Sequence, residues 1–175
     1  MIKSNIERVV FHGTSNNVFV FSEDSVGLGS DPNSSLGVHT TDSVDSAMEY
    51  ASRSMVLDEA ANIPIVLVLS YQSAGQEFML DADDFYGTHD DDTNNKAHFE
   101  QLRREYIEDG VDLIEFEGGE EPITTLLMPD KISLVDTLTL TQASALSKCI
   151  DVFGIRYDDT KALLAAVEHI KGCVV

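Results

Sequence analysis

Apolar positions first gather at Val9 to His12, a strand-like run that breaks off in His12-Gly13-Thr14. A second apolar patch, Phe19-Val20-Phe21, precedes the polar stretch "SEDSVGLGSDPNSS" (22–35), which reads as a long flexible loop. Leu36 to Thr40 looks like another short strand. The period then changes: Val44, Met48, Ala51 and Met55 recur on one helical face, capped by Asp42 or Ser43, and the helix runs on towards Asn62.

"IPIVLVLSY" (Ile63 to Tyr71) is nearly continuous in β-branched residues and Leu, the pattern of a central strand. "QEFMLDADDFYG" gives a shorter strand and a turn, and a hydrophilic loop follows. It leads into a helix with Phe99, Leu102 and Tyr106 on one face and Gly110 as C-terminal cap. "VDLIEFE" alternates as a strand, "GGEEP" turns, and "ITTLLMPDKISLVDTLTL" supplies one or two strands around Pro129. From Thr141 two amphipathic helices follow, capped at Thr141 and at Asp158 or Asp159, with Gly154 breaking the first and Gly172 ending the second. The expectation is an α+β body over 1–140 with a two-helix C-terminal extension, 141–175, packed on the same domain.

The 175 residues suffice for one domain with a genuine core. No stretch approaches the length that spans a bilayer, and the mixed start Met1 to Arg8 is no signal peptide, so the expected location is cytoplasmic, of a cell or of a host. Cys149 and Cys173 read as reduced, semi-buried thiols; neither has a partner at CxxC spacing, so no zinc site is expected.

Charge narrows the choice of partner. Eleven Lys and Arg against 31 Asp and Glu leave a formal −20. That field repels phosphate backbones and anionic membranes, so direct nucleic-acid or membrane binding is not expected, and basic proteins are the favoured partners. Solubility, or a halophilic or marine source, also accounts for such charge.

Candidate chemistry is sparse. "GLGSDP" lacks the third glycine and the strand-to-helix setting of a dinucleotide loop, and no phosphate loop of Walker type occurs. Asp81, Asp83 and Asp84, like His89 with Asp90, Asp91 and Asp92, lack the alternating oxygens and central Gly of a calcium loop. His98 and His169 read as surface residues. No G-x-S-x-G elbow offers a nucleophile, and the cysteines stand apart from any His partner.

What remains is His12-Gly13-Thr14 followed by "LGVHTTDSVDSAMEYA" and later "DGVDLIEFEGG…ITTLLMPDKISLV". In this order, over about 9–135, the pieces resemble the ADP-ribosyltransferase fold, in its diphtheria-toxin-like, His-first branch, especially small phage and mobile-element versions. The resemblance implies split antiparallel β-sheets with flanking helices and the helical C-terminal appendage. It implies NAD as substrate, His12 on the ribose beside nicotinamide and the Gly13 backbone at the carboxamide. A neutral imidazole offers the donor and acceptor a sugar hydroxyl needs, and a bare Gly lets a flat amide approach. Thr14 adjoins them, His39 takes the place of the aromatic that stacks on nicotinamide, and Thr41 and Tyr50 line the same cleft.

The resemblance also calls for a Glu at a strand start that here holds Ile123. Either Glu121 in the turn supplies the acid, with Glu120 or Glu117 behind it, or the position is truly aliphatic. The acid matters because cleaving the nicotinamide–ribose bond builds oxocarbenium character, which a carboxylate stabilises. Three functions follow: a mono-ADP-ribosyltransferase acting on a host protein, such as a basic nucleic-acid-binding one; an NAD hydrolase; or a non-catalytic acidic binder that occupies a partner's basic surface.

Overall fold

The computed structural model describes residues 6–15, 21–28, 32–57, 63–73, 75–82, 85, 95–117 and 123–173. Expectations for Phe19, Asn62, the side chain of Met55, Asp83, Asp84, the 89–92 run, Glu120 and Glu121 lie outside these residues. The chain is mixed α+β, with seven strands in two sheets and four α-helices among the described residues. The strands are β1 (Ile6–Thr14), β2 (Val38–Thr40), β3 (Ile65–Ser73), β4 (Gln76–Asp81), β5 (Val111–Glu117), β6 (Ile123–Leu126) and β7 (Ile132–Thr139). The helices are α1 (Val44–Leu57), α2 (Lys96–Glu108), α3 (Leu140–Phe153) and α4 (Thr160–Cys173). None of them is long and apolar enough to cross a membrane.

The chain divides into two compact units, one built from 1–6, 20–40 and 72–132, the other from 7–19, 41–71 and 133–175. The second unit holds the sheet ordered β1-β3-β7. β3 sits in its centre and is buried from Ile65 to Leu69, as its unbroken apolar run requires. Val9, Phe11, Val66, Val68 and Leu138 share one core with Val44 and Ala47 of α1, Leu146 and Ile150 of α3, and Leu163 and Val167 of α4. The two C-terminal helices therefore contribute to the same core as the strand bearing His12.

Helix ends follow ordinary capping chemistry. Ser43 accepts from the Ser46 amide at the start of α1. α3 begins two residues earlier than its sequence suggests: Thr139, not Thr141, is the cap, in a reciprocal box with Gln142. Gly154 closes α3 with φ of 61°, a left-handed value suited to glycine. Asp159 caps α4 through the Ala162 amide, and that helix continues through Gly172 to Cys173.

The first unit holds the sheet ordered β2-β6-β5-β4. β2–β6 and β5–β6 are antiparallel, but β4 and β5 run parallel, which departs from the all-antiparallel sheets the resemblance implies. The reason lies in the connection: a parallel pair needs a long crossover, and the segment between β4 and β5 contains α2. Asn95 caps α2, Gly110 follows it at φ +80°, and Phe99 is buried in a core with Leu36, Ile114, Phe116 and Leu127.

The stretches 21–28 and 32–35 are more tightly tied than their polar composition suggests. Ser22 and Ser25 form a capped 3-10 turn, and the Gly27 amide donates to Ser34 O at 2.9 Å. Arg103, buried on α2, donates through Nε to Leu127 O at 2.8 Å and pairs with Glu23 at 2.6 Å. Lys96 Nζ donates to Gly27 O at 2.7 Å.

Candidate functional site

His12, Gly13 and Thr14 are the last residues of β1 and all are half-buried. Gly13 has a clear packing reason to be glycine. A Cβ there would lie 1.9 Å from Ala47 O and 2.7 Å from the Ala51 amide nitrogen, so α1 rests directly on the bare strand backbone. The small residues Ala47 and Ala51, both fully buried, complete this close approach.

Thr41 continues the same corner. Its backbone exchanges two hydrogen bonds with Phe11, at 2.7 and 2.9 Å, and its hydroxyl accepts from the Ser43 amide at 3.0 Å. It is buried, and in the chain it lies between the end of β2 and the start of α1. Tyr50 also belongs to α1, with its ring 5.9 Å from the Arg53 guanidinium, which also pairs with Glu49. It is on the exposed face of α1.

His39 belongs to the first unit and is built differently. It stands mid-strand in β2, opposite Thr125 of β6. Nε2 lies 3.0 Å from Asn33 O and Nδ1 lies 2.8 Å from Thr125 Oγ1. A carbonyl can only accept, so Nε2 carries the hydrogen; in the neutral ring Nδ1 then accepts from the Thr125 hydroxyl. The ring is thereby fixed in tautomer and orientation. Beside it, Thr40 Oγ1 donates to Thr124 O at 2.8 Å. Neither Asn33 nor Thr125 stood out in the sequence; the "TT" of "ITTLL" on a short strand was the available signal.

Ile123 opens β6 opposite Phe116 and packs on the cluster of Leu36, Phe99 and Ile114. The position is aliphatic because it serves the core. Of the three candidate acids, Glu117 ends β5 and is exposed, while Glu120 and Glu121 fall outside the described residues.

A buried carboxylate of the first unit is one the sequence did not single out. Asp112, 3% exposed, accepts from the Gly75 amide at 2.5 Å and from Lys131 Nζ at 3.0 Å to each oxygen. A Cβ on Gly75 would strike that carboxylate at 2.5 Å, so the glycine is what lets the amide reach it. With both oxygens committed, Asp112 is a structural anchor for the turns around β5 rather than a poised base.

In the second unit Tyr157 is a titratable group with an altered setting. Burial pushes its hydroxyl above the ordinary value, and the charges of Asp45, Asp151 and Asp42 add to this. Asp45 also accepts from Ser147 Oγ at 2.9 Å, tying α1 to α3. Cys149 is half-buried and Cys173 exposed, both free thiols, so only the first has the semi-buried setting expected of the pair.

No family of proteins, no curated protein and no solved structure gives a significant match to this chain.

Proposed function

We propose that the chain is a small mono-ADP-ribosyltransferase that moves ADP-ribose from NAD to a protein target. The reading rests on the ordered motifs and on one observation above the others, the constraint on His39. Both ring nitrogens of His39 are held by protein partners, which sets the orientation of the ring rather than leaving it to work as an acid or base. That is the contribution expected of the residue in the position of the nicotinamide-stacking aromatic. The mixed α+β chain, with its strands divided between two sheets, is in keeping with the same reading.

On this proposal His12 hydrogen-bonds a ribose hydroxyl and Gly13 offers its backbone to the carboxamide, each as the resemblance assigns. The formal charge of −20 favours a basic target, such as a nucleic-acid-binding protein of a host. Glu121 is the acid proposed for the oxocarbenium-like transition state. The test is incubation with labelled NAD and a panel of basic proteins. Transfer by the wild-type chain, reduced about 10²–10³-fold by Glu121→Gln, supports the proposal. Absence of transfer to every target would overturn it.

A second reading has its own observation. Ile123, where a catalytic carboxylate is expected, is built into an apolar cluster. A chain that keeps the architecture without the acid would act as an acidic binder, occupying a basic groove of its partner. It would bind that partner with or without NAD present and transfer nothing.

A further inference from the structure

Near the end of α4, His169 and Cys173 stand one helical turn apart, with Cys173 Sγ 3.8 Å from His169 Nε2. Both residues are exposed, and the thiol is free. A weak sulfur–imidazole hydrogen bond is one use of this geometry. The separation also suits a metal. With a zinc–sulfur bond of about 2.3 Å and a zinc–nitrogen bond of about 2.0–2.1 Å, a 3.8 Å gap corresponds to an N–Zn–S angle of about 120°. Closing that to a tetrahedral angle shortens the gap by only about 0.3 Å, a small movement for two exposed side chains.

We propose that His169 and Cys173 form a two-point chelate for a borderline divalent transition metal, with zinc or cobalt the fitting ions. Thiolate and imidazole are the ligand types such ions prefer, and helical i,i+4 spacing presents both on one face, as the paired histidines of H-E-x-x-H do. Among the described residues no group of three or more His, Cys, Asp or Glu side chains is placed to hold a metal, so water fills the remaining positions and the site stays open. Lys171, between the two in sequence, directs its ammonium to Asp136 instead. The strongly negative protein draws cations towards its surface. On binding, the thiol releases its proton to solvent as the sulfur–metal bond forms. The signal in the sequence is His-x₃-Cys spacing on a helix, not a CxxC pair.

The experiment is a cobalt titration of the reduced full-length chain, followed by the near-ultraviolet thiolate-to-cobalt charge-transfer band, with zinc added afterwards to displace it. Wild type and Cys149→Ser are expected to give the band, Cys173→Ser to give none. His169→Ala is expected to weaken cobalt binding by no less than about tenfold, the lower bound for losing even an outer-shell partner. Circular dichroism confirms that each variant is folded. No band in folded wild type, the same band in Cys173→Ser, or unchanged affinity in His169→Ala would each overturn the assignment. None of these outcomes depends on NAD.

Discussion

A methyl group on Gly13 would sit 1.9 Å from the carbonyl oxygen of Ala47. The glycine of the His-Gly-Thr triplet is thus fixed by the helix behind it, whatever else its backbone does. Because the obstructing atom belongs to backbone, α1 itself would have to move. Gly13→Ala is therefore expected to destabilise the fold by about 1–3 kcal/mol or more, read as a lower urea midpoint, with or without NAD. An alanine variant as stable as wild type would mean that α1 does not pack on β1 this closely.

Thr125→Val tests the fixed imidazole. The substitution keeps the shape and removes the hydroxyl, leaving Nδ1 of His39 without the partner now 2.8 Å away. A loss of about 1–3 kcal/mol is expected for the orphaned polar group, less where water reaches the half-buried ring. Nuclear magnetic resonance of the ring nitrogens should report a changed tautomer balance. An unchanged spectrum would contradict the assignment.

Asp112 and Lys131 should respond unequally. Asp112→Ala removes the acceptor for the Gly75 amide and for Lys131 together, whereas Lys131→Met leaves a carboxylate that keeps the Gly75 hydrogen bond. The Lys131 side chain is 29% exposed, so solvent screens part of the pair. Lys131→Met leaves the buried carboxylate without its cation, so chemical denaturation is expected to rank it the more costly, by about 3–5 kcal/mol, against about 1–3 kcal/mol for Asp112→Ala, which orphans the Gly75 amide and a partly exposed ammonium. Equal losses, or the reverse order, would contradict the buried pairing.

Alkaline pH reads the Tyr157 environment. Its native pKa is raised, through burial first and the neighbouring Asp45, Asp151 and Asp42 charges next. The folded state thus holds the phenolic proton more tightly than the unfolded chain, whose phenol titrates near pH 10. The corresponding stability is fully present below that pH and is lost as pH rises through the higher native value. Tyrosinate absorbance should show a late-titrating phenol that Tyr157→Phe removes, and Asp45→Asn should bring its titration down.

Much of the fold could be read along the chain where one periodicity runs unbroken. Ile65 to Leu69 forms a central strand because every side chain is apolar, and the Val44-Met48-Ala51 face makes α1. Other features depend on distant partners. The parallel pairing of β4 with β5 is decided by the crossover containing α2, and a period of two says nothing about strand direction. His39 stood out as a residue type, but its partner Thr125 lies 86 positions away. The 21–28 stretch reads as loose because its composition is polar, yet Arg103 and Lys96 of α2 hold Glu23 and Gly27. Gly13 reads in the sequence as a position that needs a bare backbone, while the group that approaches it could not be read, since it lies in the backbone of α1.

The account stands on recognition of NAD, and a thermal-shift titration measures it most directly. Ligand that binds only the native state raises the melting temperature progressively with its concentration, by about 2.7 kcal/mol of stabilisation at a hundredfold excess over Kd. The account predicts such a rise for wild type with NAD and its loss in a folded His12→Ala variant. A flat wild-type response, or a rise that His12→Ala leaves intact, would contradict it.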